Sequence, residues 1–334
     1  MIQSLSIQNY LSFKDEMTFS FEATKDKKLE DYQVVEVTPG VKLLKLGVIY
    51  GANASGKSNL LSAFEFLKDF WFSTTDSKEE DIRIIPFLFD AETPNKPSIF
   101  KLVFFVDVKK YLYTLEISSD FVLSEKLDYY PGTQPANVFE RRLKNNVSEI
   151  IFGPKININQ IAKDEITIKC LPNMSFFAAY NQVNTKIHEI DLVIDWMGNG
   201  YMDSINPKTF LVKYAENLIS EKTEIKKSIL SYLQEADFNI SDINTEIVKE
   251  DIPEFFISNI TKLNVPDEEI ERIKKERTIN ITKTTFKHKI IDNNKNEHYF
   301  NLPIELQSEG TERYIRFIWS YINYIRKKCI SCNR

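Results

Sequence analysis

The sequence predicts a mixed α/β fold, and three observations support this prediction. First, residues 43–50 form a short apolar run of the kind found in buried strands, and apolar residues at helical spacing follow between Leu60 and Trp71. Second, apolar and polar residues alternate over much of residues 80–185, as they do in β-strands. Third, helical spacing returns over residues 188–275.

The individual elements follow from these periodicities in chain order. Residues 2–21 are predicted to form two strands around a loop at 9–15, and the strand at 43–50 leads through a short loop into a helix that ends near Ser73. Further strands are predicted at residues 99–108, 111–117, 122–130, 137–142, 174–180, 278–291 and 299–303, and a last helix at 311–328. The chain is divided into an N-terminal lobe (1–185), a helical insertion (186–277) and a last part with return strands and the final helix (278–334).

The composition is that of a globular protein, with 43% apolar and 27% charged residues. The net charge of −5 argues against a chain that coats nucleic acid by charge alone. Three cysteines (Cys170, Cys329 and Cys332) form no disulfide framework, which indicates a reducing compartment and therefore the cytoplasm. The C-x-x-C pair at the end lacks a second half and is interpreted as incidental. No apolar run approaches the roughly 18 residues of a membrane helix, so no membrane partner is expected.

The segment from Gly51 to Ser58, Gly-Ala-Asn-Ala-Ser-Gly-Lys-Ser, matches the pattern G-x-x-x-x-G-K-[ST]. In this pattern the backbone N–H groups of the loop surround phosphate oxygens, the lysine (Lys57) reaches the terminal phosphates and the last hydroxyl (Ser58) ligates Mg²⁺. The helix that begins here adds its positive dipole end. A chance match in a flexible loop is the alternative, and the strand before and the helix after the motif argue against it. The sequence therefore predicts a phosphate-binding site.

The longer string G-x-N-x-S-G-K-S-N-L-L, with Asn53 and Asn59, resembles the ABC-type ATPase heads of SMC, RecF and OLD-like proteins. Residues 7–15, 86–90 and 138–141 are similar to bacterial AAA-family ATPases with such heads, which are found beside restriction and phage-defence genes. The resemblance implies a P-loop NTPase of ABC-ATPase type, with an antiparallel β subdomain and a helical insertion, that binds ATP and Mg²⁺. The residues that it assigns to the nucleotide in this loop are Gly51, Asn53, Ser55, Gly56, Lys57, Ser58 and Asn59.

Residues 306–313 resemble the signature motif of these heads, with Ser308 and Gly310 at the start of a helix. The resemblance implies that these two residues face the ATP of a second head, so that two heads, in a homodimer, clamp two nucleotides. A hydroxyl, a backbone N–H and a helix N-terminus all favour anions. Taken alone, a Ser-x-Gly helix start is also an ordinary N-cap.

Two further assignments come from the resemblance. In such heads a glutamine at a strand end touches Mg²⁺ and the attacking water, and Gln182, after the strand predicted at 174–180, is the candidate; an exposed loop amide is the alternative. Lys57 and Gln182 are thus the expected catalytic residues, and Ser58 and Gln182 the expected Mg²⁺ ligands. The turn at residues 12–14 is expected near the nucleotide, although Leu11 stands where related turns often carry a basic residue.

One departure from the family pattern limits the functional prediction. Such heads continue after the signature helix into a strand ending Asp-Glu, which supports Mg²⁺ and polarises the attacking water. Here only Cys-Ile-Ser-Cys-Asn-Arg334 follows the predicted helix. We interpret the sequence as truncated before this Walker B strand, as a shortened product or as half of a split protein. We expect weak ATP binding and poor hydrolysis by the chain alone.

Partners other than a second head are only weakly indicated. A loose basic run near the return strands is a candidate DNA contact, but glutamates interleave with it, and a solvated charged face is the alternative. The run consists of Lys274, Lys275, Arg277, Lys283, Lys287 and Lys289. The leading hypothesis is a nucleotide-dependent dimeric clamp that gates DNA or an effector protein; the alternative is a hydrolysis-deficient nucleotide-binding module completed by another chain.

Overall fold

The computed structural model describes residues 1–201, 223–236, 239–253, 267–292, 294–315 and 317–318. The chain divides into two compact units, Met1–Ser204 and Ile205–Arg334. The first unit contains the loop at 51–58, and the second contains Ser308 and Gly310. The fold is mixed α/β, and every strand pair among the described residues is antiparallel.

A seven-stranded sheet forms the framework of the first unit, with the strand order β2-β1-β5-β6-β7-β8-β9. Its central strands alternate buried and half-buried side chains, so that one face carries the core. Its strands are β1 (Ile2–Gln8), β2 (Met17–Ser20), β5 (Ser98–Val106), β6 (Lys109–Ile117), β7 (Val122–Tyr130), β8 (Ala136–Lys144) and β9 (Val147–Phe152). A separate two-stranded ribbon consists of β3 (Val34–Thr38) and β4 (Val41–Leu44), after the short helix α1 (Glu30–Gln33).

Helix α2 (Lys57–Phe72) packs on this sheet and places the loop at 51–58 at its N-terminal end. Its buried residues recur at the spacing of one helical face: Leu60, Ala63, Leu67, Phe70 and Trp71. The Trp71 ring meets Tyr113 of β6 edge-on, with ring centroids 5.8 Å apart. Burial of each large side chain contributes about 1.5–3 kcal/mol, so this face fixes the helix on the sheet.

Three further helices follow the sheet in this unit: α3 (Gln160–Lys169), α4 (Phe176–Tyr180) and α5 (His188–Asp195). A fully buried ion pair holds the segment before α4, because the guanidinium of Arg141 binds Glu125 (3.2 Å) and donates to the carbonyls of Met174 and Leu171. The Glu125 carboxylate also accepts from the amide of Phe176 at 2.8 Å. Burial raises the pKa of Glu125, and the charge of Arg141 opposes this shift.

The second unit contains a three-stranded sheet in the order β10 (Ile240–Asp251), β11 (Thr278–Ile291), β12 (Glu297–Pro303). Helices α6 (Thr223–Glu235) and α7 (Asp267–Glu276) flank β10 in sequence, and residues 309–315 begin a last helix. Its own small core joins these elements through Ile229, Leu233, Ile243, Phe286 and Ile315.

Several sequence predictions are confirmed. The hairpin is formed by β5 and β6, although its turn lies at Asp107 and Val108 rather than at the lysines that follow. The strand predicted at 122–130 is β7, that at 278–291 is β11, and the helix after the loop ends before Ser73. Of the last helix, predicted at 311–328, residues 319–328 lie outside the described residues, as do Cys329 and Cys332.

Three predictions are wrong in part. The strand predicted at 43–50 ends at Leu44, because no described strand pairs with the residues after Lys45. The strand predicted at 174–180 is helix α4, which the Ser175 hydroxyl caps by accepting from the amide of Ala178. Strand β10 lies inside the segment 186–277 that was predicted to be helical, where it pairs with β11. Among the described residues, none of the helices is long and apolar enough to cross a membrane.

Candidate nucleotide-binding site

The loop at residues 51–58 has the backbone of a phosphate cradle. Gly56 has a φ of +87° and Ala54 a φ of +62°, so the chain twice enters the left-handed region within three residues. The amide of Ser55 donates to the carbonyl of Ala52 at 3.3 Å, which closes a turn inside the loop. The positive φ favours glycine at position 56, and a Cβ atom there would also displace a neighbouring hydroxyl that lies 2.6 Å away.

Helix α2 begins at Lys57 with free backbone donors. Gly56 is its N-cap and offers no side chain to bond the amides of the first turn, and that turn contains no acidic residue. An anion can therefore occupy this end and meet the positive end of the helix dipole. The ammonium of Lys57 lies over the same loop and donates to the carbonyls of Gly51 (2.9 Å) and Ala52 (2.6 Å).

The other predicted loop residues line the same surface. The side chains of Asn53, Ser55 and Ser58 are exposed, and Asn59 is half-buried. The exposed hydroxyl of Ser58 is suited to ligate Mg²⁺. Oxygens of phosphate and water would complete the octahedral coordination shell. Among the residues that the structure describes, no three His, Cys, Asp or Glu side chains form a metal-binding group.

The turn between β1 and β2 lies against this loop. A Cβ atom on Gly56 would be 2.6 Å from Ser12 Oγ and 3.8 Å from Phe13 Cε1. Burial, together with nearby Glu65, raises the pKa of Tyr10 to about 12, so its hydroxyl stays protonated and donates to the carbonyl of Ser62 in α2 (3.1 Å). Ser12 thus lies beside the loop at 51–58, near which residues 12–14 were expected. The sequence motif indicated the turn, but no sequence signal identified Ser12 as the side chain that touches the loop.

The run that precedes the loop is open to solvent. Leu46, Val48 and Tyr50 are 64%, 76% and 90% exposed, although the sequence predicted a buried strand here. Within the described part of the chain, the backbone of residues 46–50 makes no hydrogen bond. At Gly47 the run passes the rings of Phe19 and Phe21. This contact fixes the point at which the run leaves the ribbon of β3 and β4. A segment of strand-like composition thus leads into the phosphate loop with its backbone groups unpaired.

Gln182 follows a helix and not the strand end that its assignment assumed. The Ser175 hydroxyl at the start of α4 donates to the carbonyl of Trp71 (2.9 Å), at the end of α2 opposite the loop. The side-chain amide of Gln182 donates to the carbonyl of Ala178 at 3.3 Å, within its own helical turn. The premise of a strand end is therefore wrong, and a role in Mg²⁺ binding and catalysis stays a prediction.

Ser308 and Gly310 begin the last described helix in the second unit. The Ser308 hydroxyl accepts from the amide of Thr311 at 3.1 Å, so it is the N-cap that the sequence offered as the alternative. Gly310 is exposed, and among the described residues a Cβ atom there would lie within 4 Å of Ser308 Oγ alone, at 3.7 Å. A contact of these residues with the nucleotide of a second head stays a prediction.

Two lysines of the basic run near the return strands form ion pairs, and a third contacts an aromatic ring. Lys283 pairs with Glu250 (2.7 Å), Lys289 pairs with Glu297, and the Lys287 ammonium lies 4.4 Å from the centre of a tyrosine ring. These contacts favour a solvated charged face, and DNA binding by the run stays a prediction.

Comparison with known proteins places the loop in a family context. A search of curated proteins finds none that matches the chain. Residues 46–155 match a family model described as "AAA domain, putative AbiEii toxin, Type IV TA system". This segment contains the phosphate loop, α2 and most of the seven-stranded sheet up to β9. Over residues 46–155 the chain is therefore similar in sequence to an AAA domain, and the loop at 51–58 lies within the matched residues.

Proposed function

We propose that this chain is an ATP-binding ATPase head of ABC type that acts as a nucleotide-dependent dimeric clamp, linked to DNA transactions or phage defence. The observation that carries the proposal is the loop at 51–58, with its left-handed Gly56, its free helix N-terminus and Lys57 lying over it. The toxin named in the description of the matching family model supports the link to phage defence.

The chemistry assigned to this chain follows from the loop. The amides of the loop and of the first turn of α2 hold phosphate oxygens, and Lys57 exchanges its bonds to the Gly51 and Ala52 carbonyls for bonds to the terminal phosphates. Ser58 would ligate the Mg²⁺ that accompanies ATP, and the metal would neutralise charge at the phosphoryl group that is transferred. A second copy presents Ser308 and Gly310 to the same nucleotide.

The proposal is tested by measuring ATP binding calorimetrically, with Mg²⁺, for the parent chain and for Lys57→Ala. Charge-assisted hydrogen bonds contribute about 1.5–3 kcal/mol each, so the variant is expected to bind ATP at least roughly tenfold more weakly. Lys78→Ala is the matched control, because this exposed lysine lies beyond the end of α2. Equal affinities of the parent chain and Lys57→Ala, or no binding by either at millimolar ATP, would reject the proposal.

A second candidate function is a nucleotide-binding module that is deficient in hydrolysis and is completed by another chain. The specific observation in its favour is the open run at 46–50, whose exposed apolar side chains and backbone, without a hydrogen bond to any residue that the structure describes, match the requirements of β-strand addition. A phosphate loop normally follows a strand that is held in a sheet. A partner strand would supply this support and fix the loop for ATP.

A further inference from the structure

We propose that residues 46–50 form a strand that pairs with the same residues of a second copy of this chain, antiparallel and centred on Val48. The inference goes beyond the proposed clamp, because this contact requires no nucleotide. It also commits to one occupant of the open run, which the second candidate function leaves as another chain. The burial pattern, the charge distribution and the register of the run favour a second copy.

The run is exposed along its whole length and has one open face. Three strongly exposed apolar side chains form this face: Leu46, Val48 and Tyr50. Ile49 is only 39% exposed, and Gly47 lies beside two phenylalanine rings. This alternation is the period of an extended strand, whose successive side chains point to opposite faces. The run is therefore a strand-like segment without a partner strand among the described residues.

Both ends of the run are held, so pairing would order little additional chain. At one end the amide of Lys45 donates to the carbonyl of Gln33 at 2.7 Å. At the other end the phosphate loop leads into α2, which is fixed on the sheet. Between these points the backbone makes no hydrogen bond to any residue that the structure describes. Unpaired N–H and C=O groups in an extended segment are a template for pairing with another chain.

The lack of charge distinguishes the run from two edge strands of the described sheets. Edge strands resist pairing with other chains when they carry charged side chains. Strand β9, at the edge of the seven-stranded sheet, carries Glu149, and strand β12, at the edge of the three-stranded sheet, carries Glu297. Residues 46–50 contain no charged side chain, and the charge nearest in sequence is Lys45. The run therefore lacks the protection that these two edges have.

The run is complementary to itself in an antiparallel register. A pair centred on Val48 sets Val48 opposite Val48 of the second copy and Leu46 opposite Tyr50 of the second copy, so apolar side chains meet on one face. Lys45 falls opposite Gly51, the first residue of the phosphate loop, and no like charges meet. A parallel pair in register would instead set Lys45 beside Lys45 of the second copy, which is unfavourable. The antiparallel pair also closes as a two-fold dimer.

Cysteine cross-linking without nucleotide tests both the pairing and its register. Cys329 and Cys332 are replaced by serine throughout, and Cys170 is buried. Leu46→Cys and Tyr50→Cys are treated with a short bismaleimide, each alone and as a mixture in which one protein carries a tag. Positions 46 and 50 are opposite in the proposed register, whereas two copies of position 46 are about 14 Å apart along the strands, beyond the reach of the linker. Cross-linked dimer is therefore expected from the mixture and not from either protein alone.

Two results would overturn the inference directly. No dimer from the mixture would mean that a second copy does not cover the run, and as much dimer from Leu46→Cys alone as from the mixture would mean a different register. Val108→Cys is the matched control, since this valine is 70% exposed in the tight turn between β5 and β6 and should not cross-link with itself. Equal yields from Val108→Cys and from the mixture would indicate random collision and would also overturn the inference. If a variant melts below the parent chain, Val48→Cys, which should cross-link with itself, replaces it.

The outcomes distinguish this inference from the proposed function. Lys57→Ala, introduced into both cysteine variants, should leave the yield of cross-linked dimer unchanged, because the pairing requires no nucleotide. If cross-linking fails while the parent chain binds ATP and Lys57→Ala does not, the strand pairing is wrong and the nucleotide site stands. If the mixture cross-links but the parent chain binds no ATP, the proposed function is wrong and the strand pairing stands.

Discussion

Gly56 and Gly40 have the same backbone conformation but different surroundings, so a comparison of the two positions is informative. Their φ angles are +87° and +83°, so both lie in the region that side chains rarely adopt. A Cβ atom on Gly40 would have no described residue within 4 Å, whereas one on Gly56 would lie 2.6 Å from Ser12 Oγ. Backbone strain and crowding at the phosphate loop can therefore be separated by substitution.

We expect Gly40→Ala to lower the free energy of unfolding by about 1–2 kcal/mol, which is the cost of a left-handed alanine. Gly56→Ala should lower the free energy of unfolding by the same amount and by a further amount, because Ser12 must move. It should also lose ATP binding, whereas Gly40→Ala keeps it. Denaturant unfolding and ATP calorimetry on both variants measure these differences. Equal stability and equal ATP binding of the two variants would show that the Ser12–Gly56 contact does not matter.

The residues of the site were predictable to different degrees. Gly51 to Asn59 are contiguous, so the pattern of residue types fixes both their proximity and their chemistry. The contact between Ser12 and Gly56 joins distant parts of the sequence and depends on how Asn9 and Tyr10 dock, which no local pattern encodes. The sequence pattern therefore identified the phosphate loop but not the contact between Ser12 and Gly56.

At the scale of elements, strands with strict alternation were predicted well. Strand β6 has one face in the core, and its period of two is visible in the sequence from Tyr113 to Ile117. Short apolar runs are ambiguous, because a buried helix and a buried strand have the same composition. The segment with Phe176 and Phe177 became helix α4 because Ser175 caps it and both rings pack on the sheet. The run at 46–50 forms no strand, because a strand also requires a neighbour and none of the described strands pairs with it.

This open run leads to a prediction about self-association. An apolar segment with free backbone groups pairs with other chains unless a charge interrupts it. We expect the parent chain to associate increasingly with concentration, and Val48→Lys to reduce this association, as measured by sedimentation velocity over a concentration series. Val108→Lys is the matched control, since this valine is 70% exposed in the tight turn between β5 and β6.

Both lysines should be tolerated by the monomer, because surface substitutions usually change stability by no more than about 0.5 kcal/mol. Residues 46–50 are identified as the segment that causes association only if Val48→Lys reduces association and Val108→Lys does not. Equal behaviour of the two variants would assign the association to another surface and remove the support for a partner strand at 46–50.

At the scale of the whole molecule, the proposed clamp takes its parts from both compact units. The phosphate loop belongs to Met1–Ser204, and the helix that begins after Ser308 belongs to Ile205–Arg334. Each unit has its own core, so each part is held by separate packing. The clamp hypothesis requires that nucleotide joins two chains through Ser308 and Gly310, so a charge introduced at position 308 tests it.

Substitution of Ser308 can change this charge without removing the helix cap. Asp and Asn are both N-cap residues as good as Ser, so Ser308→Asp and Ser308→Asn should keep the helix start that the bond from the Thr311 amide now marks. We expect the parent chain and Ser308→Asn to dimerise with Mg²⁺ and a slowly hydrolysed ATP analogue. Ser308→Asp should not dimerise, because its carboxylate would face the phosphates of the other head. Light scattering at matched concentrations measures the mass.

The comparison is informative because like charges in close contact across an interface cost several kcal/mol, whereas the neutral variant differs by only one atom group. The three proteins should have the same melting temperature without nucleotide, which establishes that the cap is retained. Nucleotide-dependent dimers of Ser308→Asp as stable as those of Ser308→Asn would place Ser308 away from the bound phosphates. The last helix would then be a capped structural element of the second unit, and a two-head clamp would need a different anion-binding surface.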